Sequence, residues 1–142
     1  MFISEKNKKA TLRTMFIYIG LTLLTALFGG IYEIFSHNVY SANMVFAWAW
    51  LLGFGVLMYL ALALLPISKV PGILLSSIYN FGVAMITARS IYIGVVDIYG
   101  TNRADMITVY TIIALIFLIA GFLGYLAVIV YNFIKKKEET KE

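Results

Sequence analysis

Along this chain, charged positions gather in a few places and apolar positions run together between them. Four stretches carry no charge. Thr14–Tyr32 is closed by Glu33, and Val39–Ser68 is bounded by Pro66, Lys69 and Pro71. Val70–Ala88 is followed by Arg89, after which apolar character resumes to Val96, and Met106–Ile134 ends at Lys135-Lys136-Lys137. A helix needs about 20 apolar residues to cross the hydrocarbon core of a bilayer. Each stretch meets or nearly meets that length, and none shows the polar–apolar alternation that strands of a membrane barrel require. The pattern predicts an all-α fold, an integral membrane four-helix bundle. Its spans are expected at about 14–35, 42–65, 72–97 and 106–134, within a single transmembrane domain over residues 1–142.

Composition narrows the class. Of 142 residues, 62% are hydrophobic and 13% charged, against about a quarter charged in a soluble domain. With a mean hydropathy of +0.92, this excludes a soluble enzyme, a disordered chain and a nucleic-acid-binding domain. There is no cysteine and one histidine, His37, so thiolate and histidine-pair metal sites are excluded and no metal or cofactor is expected. The net charge of +4 resides in the tails. Nine of the eleven basic residues (Lys6, Lys8, Lys9, Arg13, Lys69, Lys135, Lys136, Lys137 and Lys141) fall on one side of the four spans. The positive-inside rule then predicts a multi-pass protein with both termini in the cytoplasm. The first span is read as retained, because its apolar run exceeds a signal-peptide core and no small-x-small cleavage site follows. Tyr32, Phe35, Tyr40, Trp48 and Trp50 are expected in an outer aromatic belt, and Tyr18, Tyr59, Tyr125 and Tyr131 in an inner one.

An internal repeat is visible at a constant offset of 64 residues (30 to 94). Gly30-Ile31-Tyr32-Glu33-Ile34-Phe35-Ser36-His37-Asn38 closes the first helix, and Gly94-Val95-Val96-Asp97-Ile98-Tyr99-Gly100-Thr101-Asn102 closes the third. Both carry a small-x-x-x-small pair, Ala26/Gly30 and Ser90/Gly94, followed three residues later by a carboxylate. Residues at i, i+4 and i+7 share a helical face, and small residues there let membrane helices approach closely. The reading is a duplicated two-helix hairpin with a pseudo-two-fold axis along the membrane normal. Helices 1 and 3 would pack near that axis, with Glu33 and Asp97 close together at the outer mouth.

The remaining charged positions form the candidate polar cluster: Glu33, His37, Arg89 and Asp97. A charge such as Arg89 within a span is expensive and seldom faces lipid. It reads either as an anion or headgroup site, or as the partner of Glu33 on the neighbouring helix, which is preferred to Asp97 some 80° away on the wheel. Glu33 and Asp97 read as paired acids or as ordinary span ends, and His37 as a solvated loop residue or a pH-sensitive contact. Asn80, with Ser76, Ser77 and Thr87, is expected to hydrogen-bond between helices. No nucleophile elbow, phosphate loop or histidine pair is present, so no catalytic residue is assigned.

The segment Tyr32-Glu33-Ile34-Phe35-Ser36-His37-Asn38-Val39-Tyr40-Ser41, with Gly94–Asn102, resembles a family of small four-span membrane proteins from low-GC Gram-positive bacteria. The resemblance covers roughly Gly29 to Asn102 and implies the four-span topology without an activity. Relatives carry Tyr-His-Ser-Gly where this chain has Tyr79-Asn80-Phe81-Gly82, and a small residue in place of Arg89.

The leading functional reading is a non-enzymatic plasma-membrane protein, an accessory or scaffold subunit acting through helix–helix contacts. Its partners would be the bilayer and a second membrane protein or further copies of itself, with no nucleic acid. The alternative is a homo-oligomeric small transporter or channel with an outer vestibule lined by Glu33, Arg89 and Asp97. A third reading, a membrane enzyme using Glu33 and His37 as acid and base, requires those two within hydrogen-bond reach.

Overall fold

The structure is a computed structural model that describes residues 5–37, 39–65, 71–101 and 104–139. Helix α1 spans Glu5–Ile34, α5 spans Ile73–Tyr99 and α6 spans Ala104–Glu139. Between α1 and α5 the second pass is assembled from α2 (Ala42–Val45), α3 (Ala47–Trp50), a π-helical segment (Leu51–Leu57) and α4 (Met58–Leu64). Four helices are long and apolar enough to cross a membrane. The chain is therefore a multi-span membrane protein. Helices are what such sequences must form in lipid, where every backbone polar group has to be satisfied within its own segment.

The passes alternate in direction. Ser41 meets Asp97 and Ser90 meets Asn43 at one end, while Tyr59 meets Asn80 toward the other, so the second pass runs antiparallel to α5. Arg89 pairs with Thr111, and Gly82 lies against Leu118, which sets α6 antiparallel to α5. The start of α1 and the end of α6 thus share one end of the bundle, here called the basic end. Helix α5 stops on a Schellman turn: Gly100 takes φ +67°, its N–H reaches Asp97 O at 3.3 Å, and Thr101 N–H reaches Val96 O at 3.2 Å.

Membrane helices gain nothing from water exclusion between them, so close packing and hydrogen bonds hold the bundle together. Glycine makes the closest approach. A Cβ at Gly82 would lie 2.5 Å from Leu118 N, and one at Gly121 would lie 2.6 Å from Tyr79 Cα. Helices α5 and α6 therefore touch backbone to backbone and form the most extensive pair.

The small faces of helices 1 and 3 do not meet each other as the repeat predicts. Met44 of α2 is fully buried between them. A Cβ at Gly29 would fall 2.8 Å from Met44 O, and one at Gly94 would fall 2.6 Å from Met44 Cβ. The second pass thus lies between α1 and α5, and each presents its small residues to that pass. Gly29 occupies the α1 contact, whereas its neighbour Gly30 is exposed with no atom within 4 Å. Ala26 is half-buried.

The second pass departs from the uninterrupted helix expected over 42–65. It turns at Phe46 (φ −98°, ψ 10°) and then widens into the π segment. The π segment has partners on both flanking helices. The ring of Tyr18 lies against Gly55, where any Cβ would collide with it. A π turn shifts the backbone register and leaves carbonyls to be satisfied from elsewhere, and Tyr79 supplies a hydroxyl to Phe54 O at 2.7 Å.

Candidate functional site

At the end away from the basic tails, the two carboxylates of the repeat converge on one residue. Ser41 is 2% exposed and takes extended backbone (φ −121°) before α2. Its N–H donates to Glu33 Oε1 at 3.1 Å, and its hydroxyl donates to Asp97 Oδ2 at 2.8 Å. Ser90, also buried, donates to Asn43 O at 2.9 Å. The acids therefore fasten the entrance of the second pass to both flanking helices. Hydrogen bonds to carboxylates are among the stronger ones in proteins, and these two hold Ser41 to both helices.

The other members of the predicted cluster lie apart from this clasp. Arg89 Nε donates to Thr111 Oγ1 on α6, and among the described residues it makes no ion pair with Glu33 or Asp97. Wheel geometry accounts for this, since Arg89 and Asp97 leave α5 toward different neighbours. His37 is exposed with φ +53°. Glu33 directs its carboxylate to Ser41, and among the described residues no hydrogen bond joins it to His37. An apolar groove of about 550 Å³ lies beside His37, lined by Phe28, Ile31, Tyr32, Phe35 and Tyr99 among others.

This clasp separates two roles for the carboxylates. Glu33→Gln keeps an oxygen acceptor for Ser41 and should leave thermal stability in detergent nearly unchanged. Ser41→Ala removes a buried donor and should cost about 1 kcal/mol. If Glu33→Gln instead abolishes solute flux in reconstituted vesicles at unchanged stability, the charge itself is the working group.

The densest polar grouping lies in the half of the bundle nearer the basic end, and it is made of tyrosines. Tyr18, Tyr59, Tyr79 and Tyr125 are 6%, 5%, 0% and 1% exposed. They pack on one another, with Tyr79–Tyr125 centroids 4.8 Å apart and Tyr18–Tyr59 centroids 5.6 Å apart. Tyr18 and Tyr59 both donate to Asn80 Oδ1, at 2.9 and 2.8 Å. Tyr59 and Tyr125 hydroxyls lie 3.1 Å apart, and Tyr125 OH and Ser76 Oγ lie 3.2 Å apart; with Tyr59's proton on Asn80, Tyr125 donates to Tyr59 and Ser76 donates to Tyr125. All four membrane passes thus contribute to one hydrogen-bonded centre around Asn80. Among the described residues, no buried side-chain nitrogen or oxygen lacks a partner.

Three of these tyrosines correct the belt predicted from the sequence. Tyr18, Tyr59 and Tyr125 turn inward, while Tyr131 remains exposed. The physical reason is Asn80: a mid-span amide in lipid needs hydrogen-bonding partners, and hydroxyls at matching depth on neighbouring passes supply them. That matching depth was the signal available in the sequence. Below the centre, a crevice of about 250 Å³ opens between α1, α4 and the start of α5, lined by Thr11, Thr14, Tyr59, Ser76, Ser77 and Asn80 among others.

No protein-family model matches the chain, and no curated protein or solved structure matches it.

Proposed function

We propose that this chain is a non-enzymatic protein of the bacterial plasma membrane that serves as an accessory or scaffold subunit and acts through lateral helix–helix contacts. One observation carries the reading. The glycines that face inward, such as Gly29, Gly55, Gly82, Gly94 and Gly121, each meet a neighbour that a Cβ would strike. Gly20 and Gly30 have no atom within 4 Å and lie on the outward side of α1. Glycine in a helix interior is about 1 kcal/mol less favourable than alanine, and nothing within the chain offsets it there. The surrounding surface is apolar and exposed, including Phe16, Leu23, Leu24 and Leu27. Small residues in such a surface are where a partner helix comes close. Both termini are assigned to the cytoplasm, supported by nine of eleven basic residues lying toward one end of the spans. The convergence of Glu33 and Asp97 on Ser41 supports descent from a duplicated hairpin.

The test is a mild-detergent pull-down of the tagged chain from its native membrane. The expected result is a defined second membrane protein at stoichiometric yield, and recovery of the chain's own oligomers alone counts against the reading. Gly20→Leu should abolish that recovery without lowering the melting temperature, because the added side chain meets nothing within its own fold. Full recovery with Gly20→Leu would remove this face of α1 from the contact.

A further inference from the structure

We propose that the crevice at the basic end binds a phosphate group, carried either by a phospholipid headgroup or by free phosphate. The carboxamide of Asn80 is fixed by two tyrosines, since Tyr18 and Tyr59 both occupy Oδ1. No described residue bonds Nδ2, and no described buried nitrogen is left unpaired, so this donor is reached from the crevice that Asn80 lines. Ser77 lines the same crevice, is exposed, and makes no hydrogen bond with any described residue. Ser76 is taken up by the tyrosine chain: Tyr59 gives its one proton to Asn80, Tyr125 gives its one proton to Tyr59, and the Ser76 hydroxyl closes on Tyr125. Positions 77 and 80 share one face of α5, so two donors converge from a single helix.

The opposite wall adds no competing donors. Thr11 and Thr14 spend their protons on Asn7 O and Ala10 O of their own helix, at 3.0 and 3.2 Å. No carboxylate is among the described residues that line the crevice. The first turns of α1 bring Lys8, Lys9 and Arg13, all exposed, to this end of the bundle, with Arg13 adjacent in sequence to Thr14. A site with unused N–H and O–H donors and no described carboxylate, at the basic end of the bundle, favours an oxyanion over a cation.

Depth points the same way. Asn80 lies seven residues into α5, about 10 Å along the axis from Ile73 at 1.5 Å per residue. The crevice therefore opens near the start of the span, the level at which anionic lipid meets juxtamembrane basic residues, and Asn80 forms its inner end. The fixed amide is preorganised, which lowers the ordering cost of binding.

The experiment uses the full-length chain in detergent, with lipid retention followed by native mass spectrometry and inorganic phosphate binding by calorimetry. The probes are phosphatidylglycerol, inorganic phosphate, and a glycosyl diacylglycerol that lacks phosphate. The expected result is saturable binding of one phosphate-bearing probe per chain and none of the glycolipid. Retention of phosphatidylglycerol without binding of inorganic phosphate identifies a headgroup, and binding of inorganic phosphate that displaces the lipid identifies the free ion. Ser77→Ala should weaken binding about tenfold, the worth of one hydrogen bond to a charged acceptor, without shifting the melting temperature. Asn80→Asp, which keeps an acceptor for Tyr18 and Tyr59 and replaces the Nδ2 donor by a carboxylate oxygen, should abolish it. Binding of neither phosphate probe, equal retention of the glycolipid, or affinity unchanged in both variants overturns the proposal.

Discussion

Gly121→Ala is expected to destabilise the protein, although alanine is the better helix former. Intrinsic propensity alone would favour the change by about 1 kcal/mol. The new Cβ would lie 2.6 Å from Tyr79 Cα and 2.9 Å from Tyr79 N. These are backbone atoms of α5, so no rotamer change relieves the clash and the two helices must move apart. Overpacking of this kind costs about 1–3 kcal/mol, and here it also pulls Tyr125 and Tyr79 out of register. Gly82→Ala should act alike, because its Cβ would strike Leu118 N and Cα from the other side of the same contact. Gly20→Ala, with open space around it, should raise stability toward the propensity value. Thermal melts in detergent, followed by the fluorescence of Trp48 and Trp50, measure all three. Equal melting temperatures for Gly121→Ala and Gly20→Ala would show that α5 and α6 are not in backbone contact.

Asn80→Leu is expected to cost about 2–4 kcal/mol, taking about 1–2 kcal/mol for each buried hydroxyl left unsatisfied. The substitution keeps the side-chain size and removes the oxygen that accepts from Tyr18 and Tyr59. The penalty arises from the orphaned hydroxyls more than from the lost amide. It follows that the triple variant Tyr18→Phe, Tyr59→Phe, Asn80→Leu should recover most of the loss, since exchanging both partners for apolar groups of like shape is nearly neutral. Membrane hydrogen bonds measured one at a time average about 0.6 kcal/mol, so the single changes Tyr18→Phe and Tyr59→Phe should be mild. A triple variant no more stable than Asn80→Leu would place the energy in packing around residue 80 and not in the hydrogen-bonded centre.

Parts of this site were legible in the sequence. Asn80 declared itself as a polar residue within a span, and bonding between helices was its expected role. Glu33 and Asp97 stood out as repeated carboxylates at equivalent helix ends. Their shared partner did not, because Ser41 lies eight and 56 residues from them and serine in a loop is unremarkable. Tyr18, Tyr59 and Tyr125 were assigned to a belt because tyrosine suits both an interface and a buried hydrogen bond, and only the rotation of each helix chooses between them. Arg89 was paired with Glu33 on the expectation that the first and third spans touch, whereas α6 supplied a hydroxyl on the face to which it points.

By itself, the sequence determined the class, the four passes and their approximate limits. Those follow from local physics: uncharged runs of span length must become helices, since lipid offers their backbone no other partner. It also concentrated the basic residues toward one end of the spans. Tertiary structure decided what lies between the helices. It placed Met44 as a wedge between Gly29 and Gly94, widened the second pass into a π turn where Tyr18 meets Gly55, and gathered one polar residue or more from every pass around Asn80. In an apolar span nearly every face reads alike to lipid, so hydropathy carries no azimuthal information. The rotation of each helix was fixed by steric fit at a few glycines and by the requirement that each buried hydroxyl find a partner.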